Sequence, residues 1–329
     1  MSDLTSDNLH LSRPTMGTKS APHPCAVDCT TSMSETVAEY VRESLAQNTR
    51  TAYLSDLVHF ENWGGRIPAA PETIAAYLVA HADALCVATL TRRLAALAKV
   101  HRSRGMTNPT STELVKSTLR GLKRMKGTTQ RQAKPLVRED LFLTLEATTG
   151  ERLKDVRDRA LLLMGFAGGF RRSELVGLNC ADIELVRQGI IITLRRSKTD
   201  QNGAGRKIGV PYGRTRWCPV AAFEAWMKGS GIIDGSVFRR IDRHSLIGQE
   251  RLTGEAVSLI VKERLSRAGI DPSGYSGHSL RAGLATSAAQ VGVSSWRIRQ
   301  QTGHASDAML ARYIRYGELF TENAAGALL

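Results

Sequence analysis

The sequence predicts a mainly α-helical protein of two domains, all-α in the first and α+β in the second, where a small β-sheet is confined. Three observations carry this. A chain of 329 residues is about the length of two domains. Apolar residues recur at helical spacing through most of it from Ser34 onward. One β-branched run, GIIITLRR, is followed by a partner, RKIGVP, across the polar loop SKTDQNGAG.

The elements follow in order. Residues 1–33 are rich in Ser, Thr and Pro without periodicity and are expected to form a disordered tail. SETVAEYVRESLA places Val37, Tyr40, Val41 and Leu45 on one side of a helix. NTRTAYLSDLVHFENWG follows, broken at Gly64 and Gly65. PETIAAYLVAHA, ATLTRRLAALAKVHRSRG and STELVKSTLRGLKRM complete an all-α domain over 34–126, and KGTTQRQAKP contains a linker over 127–134.

The second domain is expected over 135–329, with a C-terminal tail over 317–329. LVREDLFLTLEAT and VRDRALLLMGFAGG read as helices, the second apolar enough for the middle of a core. After the strand pair, 219–230 and 253–269 read as helices. A helix over Leu280 to Val291 is stopped by Gly292. SSWRIRQQT starts at Ser294 or Ser295, and DAMLARYIRY is capped by Ser306 or Asp307, with Met309, Leu310 and Ile314 as its apolar stripe.

Charge points to the partner. The net charge is +14, and between Arg92 and Lys134 twelve Lys or Arg face one acid, Glu113. So one-signed a run favours a polyanion, because each neutralised phosphate releases condensed counterions. Lys116, Arg120, Lys123 and Arg124 fall on one helical stripe, to which Arg92, Arg93, Lys99, Arg102 and Arg104 add from the helix before. These nine are the candidate DNA-binding residues. No run of 18 apolar residues and no signal peptide are seen, and five scattered cysteines (25, 29, 86, 180 and 218) fit a reducing cytoplasm. Neither a metal site nor a cofactor is expected.

The stretch from Gly277 to Arg315 holds the chemistry. His278 and Arg281 lie three apart and can share one face of a helix. Gly303-His304 follows, and Tyr313 stands nine residues beyond His304. A phenol has a pKa near 10 and attacks poorly unless cations and a base lie beside it. A phenol among imidazoles and a guanidinium therefore points to a nucleophile aimed at a phosphate. Two guanidiniums and an ammonium can neutralise a phosphodiester without a metal ion.

Taken together, FRRSEL at 170–175, Lys198 in the hairpin loop, HSLR at 278–281, GH at 303–304 and RYIR at 312–315 resemble the tyrosine recombinase, or phage integrase, family. The chain is most similar to its compact Cre-type members, from about Ser34 onward. The resemblance implies a helical core-binding domain in front of a tyrosine recombinase catalytic domain, the two clamping duplex DNA. It implies that Tyr313 attacks the scissile phosphate to leave a 3′-phosphotyrosyl link and a free 5′-hydroxyl. Arg171 and Arg281 would hold the non-bridging oxygens, Lys198 would protonate the leaving oxygen, His278 would take or orient the tyrosine proton, His304 would hydrogen-bond the phosphate and Glu174 would orient a catalytic side chain. It further implies a tetramer on two double-stranded recombination sites, monomeric when free, exchanging strands through a Holliday junction, with no membrane and no small-molecule substrate.

Several residues have rivals. Arg172 competes with Arg171, Lys207 with Lys198 and Tyr316 with Tyr313, while His278 and His304 could be satisfied core histidines. Tyr275 is expected to be structural, and Trp217, Trp226 and Trp296 to serve core or interface. Leu319, Phe320, Leu328 and Leu329 could dock on a neighbouring subunit or on their own domain. A type IB topoisomerase would share the chemistry, and a helix-turn-helix regulator would account for Ala285 to Arg299 but not for Arg171, Lys198 and Tyr313.

Overall fold

In the computed structural model the described residues are mostly helical, with two small antiparallel sheets among them. The structure describes residues 37, 39–41, 43–128, 132–195 and 205–318, the side chains of 312 and 314–318 excepted. The expected tail over 1–33, Lys198 and the last residues, including Leu319, Phe320, Leu328 and Leu329, lie outside the described residues. Two compact units divide between Gln130 and Arg131. Among the described residues no helix is long and apolar enough to cross a membrane.

The first unit contains α1 (Gln47–Asn62), α2 (Pro71–Ala80), α3 (Val87–Ser103) and α4 (Glu113–Lys126). Pro71 opens α2 at the position where a missing N–H is harmless. Glu113 begins α4, and Lys123, Arg124 and Lys126 end it, each sign at the favourable pole of the helix dipole. Phe60, Ile74, Tyr77, Leu90, Leu97 and Leu122 meet in the core.

Arg93 corrects the expected cationic face. It is 8% exposed, lying on the same stripe of α3 as Leu90, Leu94, Leu97 and His101. Its guanidinium donates to the Tyr77 hydroxyl at 2.9 Å, approaches the ring nitrogens of His59 and lies 3.5 Å from Asp56. Burial raises the Asp56 pKa against these cations and lowers that of His59 with help from Arg93. Arg92, one residue away and so turned about 100° round the helix, is exposed and pairs with Asp56 at 3.0 Å. Arg102, Arg104, Lys116, Arg120, Lys123 and Arg124 are exposed and Lys99 is half-buried.

The second unit is built round α6 (Leu153–Ala167), where Ala160, Leu161, Leu162, Leu163 and Met164 are all buried. Before it comes α5 (Arg138–Glu146), and after it α7 (Arg172–Gly177), then β1 (Ile183–Val186), β2 (Gly189–Leu194) and β3 (Arg206–Pro211) in one antiparallel sheet of that order. Next come α8 (Pro219–Ser230), the hairpin of β4 (Arg239–Ile241) and β5 (Ile247–Arg251), and α9 (Gly254–Arg267). The last three helices are α10 (Ser279–Gln290), α11 (Ser295–Thr302) and α12 (Asp307–Glu318). Strands β1, β4 and β5 add to the expected pair; none of their residues is fully buried, so no buried face marks them in the sequence.

α6 packs against α8 and α10, and α10 packs against α12. Gly283 permits α10 its close approach to the chain at Leu136, whose carbonyl oxygen would stand 1.8 Å from an added Cβ. A buried ionic knot ties α6 to α9: Arg264 donates to Asp155 at 2.6 Å and to Asp158, which also accepts from Arg157. Trp226 is fully buried and donates its indole N–H to the Val237 carbonyl, whereas Trp296 is exposed.

Candidate active site

The site assembles where α7, α10, α11, α12 and β3 meet. Arg171 is the N-cap residue of α7, and Glu174 on the first turn accepts both its backbone N–H, at 2.9 Å, and its guanidinium. Arg172 turns away to Ser258 of α9 and packs beside Gly277. Arg281 projects from the first turn of α10 and is 4% exposed.

The end of α11 organises these cations. Terminal carbonyls of a helix have no intrahelical partner, and they form the negative pole of its dipole. Here six consecutive carbonyls are taken by four arginines. Arg206 donates to the Gln300 and Gln301 oxygens at 3.3 and 3.2 Å, and Arg281 to that of Thr302. Arg171 donates to that of Gly303 at 3.1 Å, and Arg299 to those of His304 and Ala305 at 3.3 and 3.1 Å. Gly303 makes the turn possible: its φ is +68°, and an added Cβ would lie 2.5 Å from the Arg206 guanidinium.

The turn delivers His304, 6% exposed, with Nδ1 2.7 Å from the Thr302 hydroxyl. Ser306 caps α12 by accepting the Met309 N–H, and Arg299 pairs with Asp307 at 3.0 Å. Two turns along α12, Tyr313 packs against Ala285, Ile298 and Leu310, its ring 5.2 Å from that of His304. Thr286 of α10 donates to the Tyr313 carbonyl at 3.1 Å, fixing the helix at the tyrosine itself.

Crowded buried cations shift one another. Burial and then Arg171 pull Arg281 down to about 10, with Glu174 and Tyr313 opposing. Burial, then Arg281, Arg171, Arg206 and Arg299, hold His304 down to about 3, so its imidazole is neutral near pH 7. Such a field favours an added anion.

Arg171, Glu174, Arg281, His304 and Tyr313 are therefore brought together. His278 is the exposed N-cap residue of α10, three residues before the buried Arg281 on the first turn. Lys207 is exposed on the face of β3 opposite Arg206, and the Tyr316 side chain is outside the described residues. Tyr275 donates to Asp140 at 3.2 Å, and burial followed by that carboxylate pushes its phenol up to about 12. Among the described residues no three His, Cys, Asp or Glu are grouped as a metal ion would require.

Arg206, Arg299 and Thr302 were not among the expected residues. Alternation marks Arg206, because Ile208 and Val210 must face the core and Arg206 shares their side of the strand. Arg299 carries a weaker mark, a cation in the last turn of a helix.

Residues 135–318 match the phage integrase family. The chain is 38% identical over 293 residues to an integrase/recombinase xerD homolog of Selenomonas ruminantium, covering 86% of each chain. It is 27% identical over 267 residues to the recombinase cre of Escherichia phage P1, covering 75% of this chain and 76% of that one. Its fold is similar to that of lambda integrase, solved as a tetramer bound to a Holliday junction, with a TM-score of 0.59 over 88% of this chain and 78% of that one at 18% identity. Fold and family together define a DNA breaking and rejoining enzyme of the tyrosine class. The chain belongs to the phage integrase family, and its activity is site-specific DNA recombination.

Proposed function

We propose that Tyr313 is the nucleophile and that Arg171 and Arg281 bind the scissile phosphate. The observation that carries this is the Tyr313 ring beside His304, with the buried Arg281 and the half-buried Arg171 converging on the same turn. The Tyr313 oxygen forms a bond to phosphorus as the bond to the 5′-oxygen breaks. That oxygen leaves with the electron pair and takes a proton, for which Lys198 is the donor by family resemblance. The phenol proton passes to an imidazole, for which His278 is the acceptor by family resemblance. Charge gathers on the non-bridging oxygens in the five-coordinate transition state, where fixed guanidiniums stabilise it most. One phosphoester replaces another, so religation needs no external energy source.

Glu174 orients Arg171 in this scheme. The first unit is the core-binding domain, and Arg92, Lys99, Arg102, Arg104, Lys116, Arg120, Lys123 and Arg124 are its candidates for phosphate contact. The enzyme acts in the cytoplasm on nucleoid DNA as a homotetramer on paired sites; the lambda integrase tetramer on a Holliday junction supports this assembly.

The test is covalent capture. A library of nicked duplexes with randomised cores is incubated with the protein, and protein-linked strands are recovered and sequenced. Wild type and Tyr316→Phe should trap DNA at a common sequence and Tyr313→Phe should trap none. Trapping by Tyr313→Phe, with its loss in Tyr316→Phe, would transfer the nucleophile to Tyr316. Relaxation of supercoils without any selected sequence would indicate topoisomerase chemistry.

A further inference from the structure

We propose that Arg206 is a positioning residue of the recombination reaction, acting as the alternative partner of Glu174 that frees Arg171 to engage the scissile phosphate; this rests on the assignment of the phosphate site above. Without DNA, Arg171 is tied to the Glu174 carboxylate and to the Gly303 carbonyl. A phosphate oxygen must compete with both. Glu174 is only 6% exposed, and a buried carboxylate that loses its cation is strongly disfavoured. Arg171 therefore leaves readily only if another donor takes Glu174 over.

Arg206 is placed to do so. One terminal nitrogen is fixed on the Gln300 and Gln301 carbonyls, which anchors the guanidinium at the end of α11. The other lies 3.6 Å from Glu174 Oε2, a few tenths of an ångström beyond hydrogen-bond range. That nitrogen and Nε are both buried and make no hydrogen bond among the described residues. Unsatisfied buried donors are unfavourable and rare, and here they stand beside a carboxylate whose present partner the reaction needs. With His304 neutral, the guanidiniums of Arg171, Arg206 and Arg281 outnumber the Glu174 carboxylate, a net positive field that favours the dianionic transition state of phosphoryl transfer.

The test is a double-mutant cycle of single-turnover trapping rates, using a nicked duplex selected in the capture experiment above. In the wild-type background Arg206→Ala should slow trapping about 10-fold or more, with DNA affinity changed by no more than about 2-fold. In a Glu174→Gln background, where the carboxylate charge is gone, the same change should alter the rate by less than about 2-fold. Arg206→Lys keeps a cation and should fall between wild type and Arg206→Ala; if Arg206→Ala does not unfold cooperatively, the cycle is read with Arg206→Lys. Losses equal in both backgrounds, or rates that follow DNA affinity, overturn the proposal while leaving Tyr313 as nucleophile. Absence of trapping by wild type, or trapping by Tyr313→Phe, would overturn the phosphate-site assignment and this proposal together.

Discussion

Thr302 gives its hydroxyl proton to the Ile298 carbonyl at 2.7 Å and meets Nδ1 of His304 at 2.7 Å on the same oxygen. A hydroxyl has one proton, so the second contact runs the other way: His304 donates from Nδ1. Its imidazole is neutral, so Nε2 carries a lone pair. In this state His304 can accept a hydrogen bond at Nε2 but cannot donate one to a phosphate from it; the expected phosphate hydrogen bond requires the imidazolium form.

The tautomer is measurable. Nitrogen-15 spectra of the DNA-free protein should show His304 protonated at Nδ1 across about pH 5 to 8. Unfolded, the group titrates near 6.5, and folded near 3. Between these values the unfolded chain binds a proton the native state does not, so this group lowers stability as pH falls through the window and has no effect above it. Thr302→Val removes the acceptor at a cost of about 1 kcal/mol and should mix the tautomers. An Nε2–H tautomer in wild type, or a midpoint near 6.5, would refute this assignment.

Adjacent arginines of α3 should behave differently. Arg93→Ala leaves Asp56 to Arg92 alone and takes the buried donor from the Tyr77 hydroxyl, and should destabilise the first unit by about 2 kcal/mol. Arg124→Ala, on an exposed face, should leave thermal unfolding unchanged and weaken DNA binding, lowering the slope of log affinity against log salt by about 1. Thermal melts and salt titrations separate the two. Equal melts for both variants would mean that the burial of Arg93 contributes nothing to folding.

The ionic knot between α6 and α9 should set acid tolerance in the second unit. Burial opposes charge on Asp155, yet the hydrogen bond and charge of Arg264 hold its carboxyl below the ordinary value of 3.8. A depressed carboxyl contributes stability that is present above the unfolded value and lost as pH falls through the folded one. Arg264→Met should therefore lower stability at neutral pH by roughly 3 to 5 kcal/mol and weaken its fall below about pH 4. Denaturant unfolding at several pH values tests both, and an unchanged acid slope would count against the knot.

Much of the second unit was legible because its functional residues occupy fixed points of regular elements. Arg281 lies in a first helical turn, Gly303 at a helix stop and Tyr313 on an amphipathic helix, and each follows from local spacing. Arg93 was misplaced because a count of charges ignores the stripe it sits on, although Leu90, Leu94 and Leu97 mark that stripe. The carbonyl contacts at 300–305 could not be foreseen, since they join four segments far apart in sequence through backbone oxygens that carry no residue identity.

Arg206 and Lys207 stand side by side on a strand whose register, Leu194 opposite Arg206 and Ile192 opposite Ile208, is fixed by buried aliphatic rungs. Such a ladder reads odd from even and is indifferent to the number of residues that join its rails. Changes in the length of 196–204 that keep Lys198 should therefore leave the guanidinium turned inward. Deleting a single residue within β3 itself would exchange an inner arginine for an outer lysine.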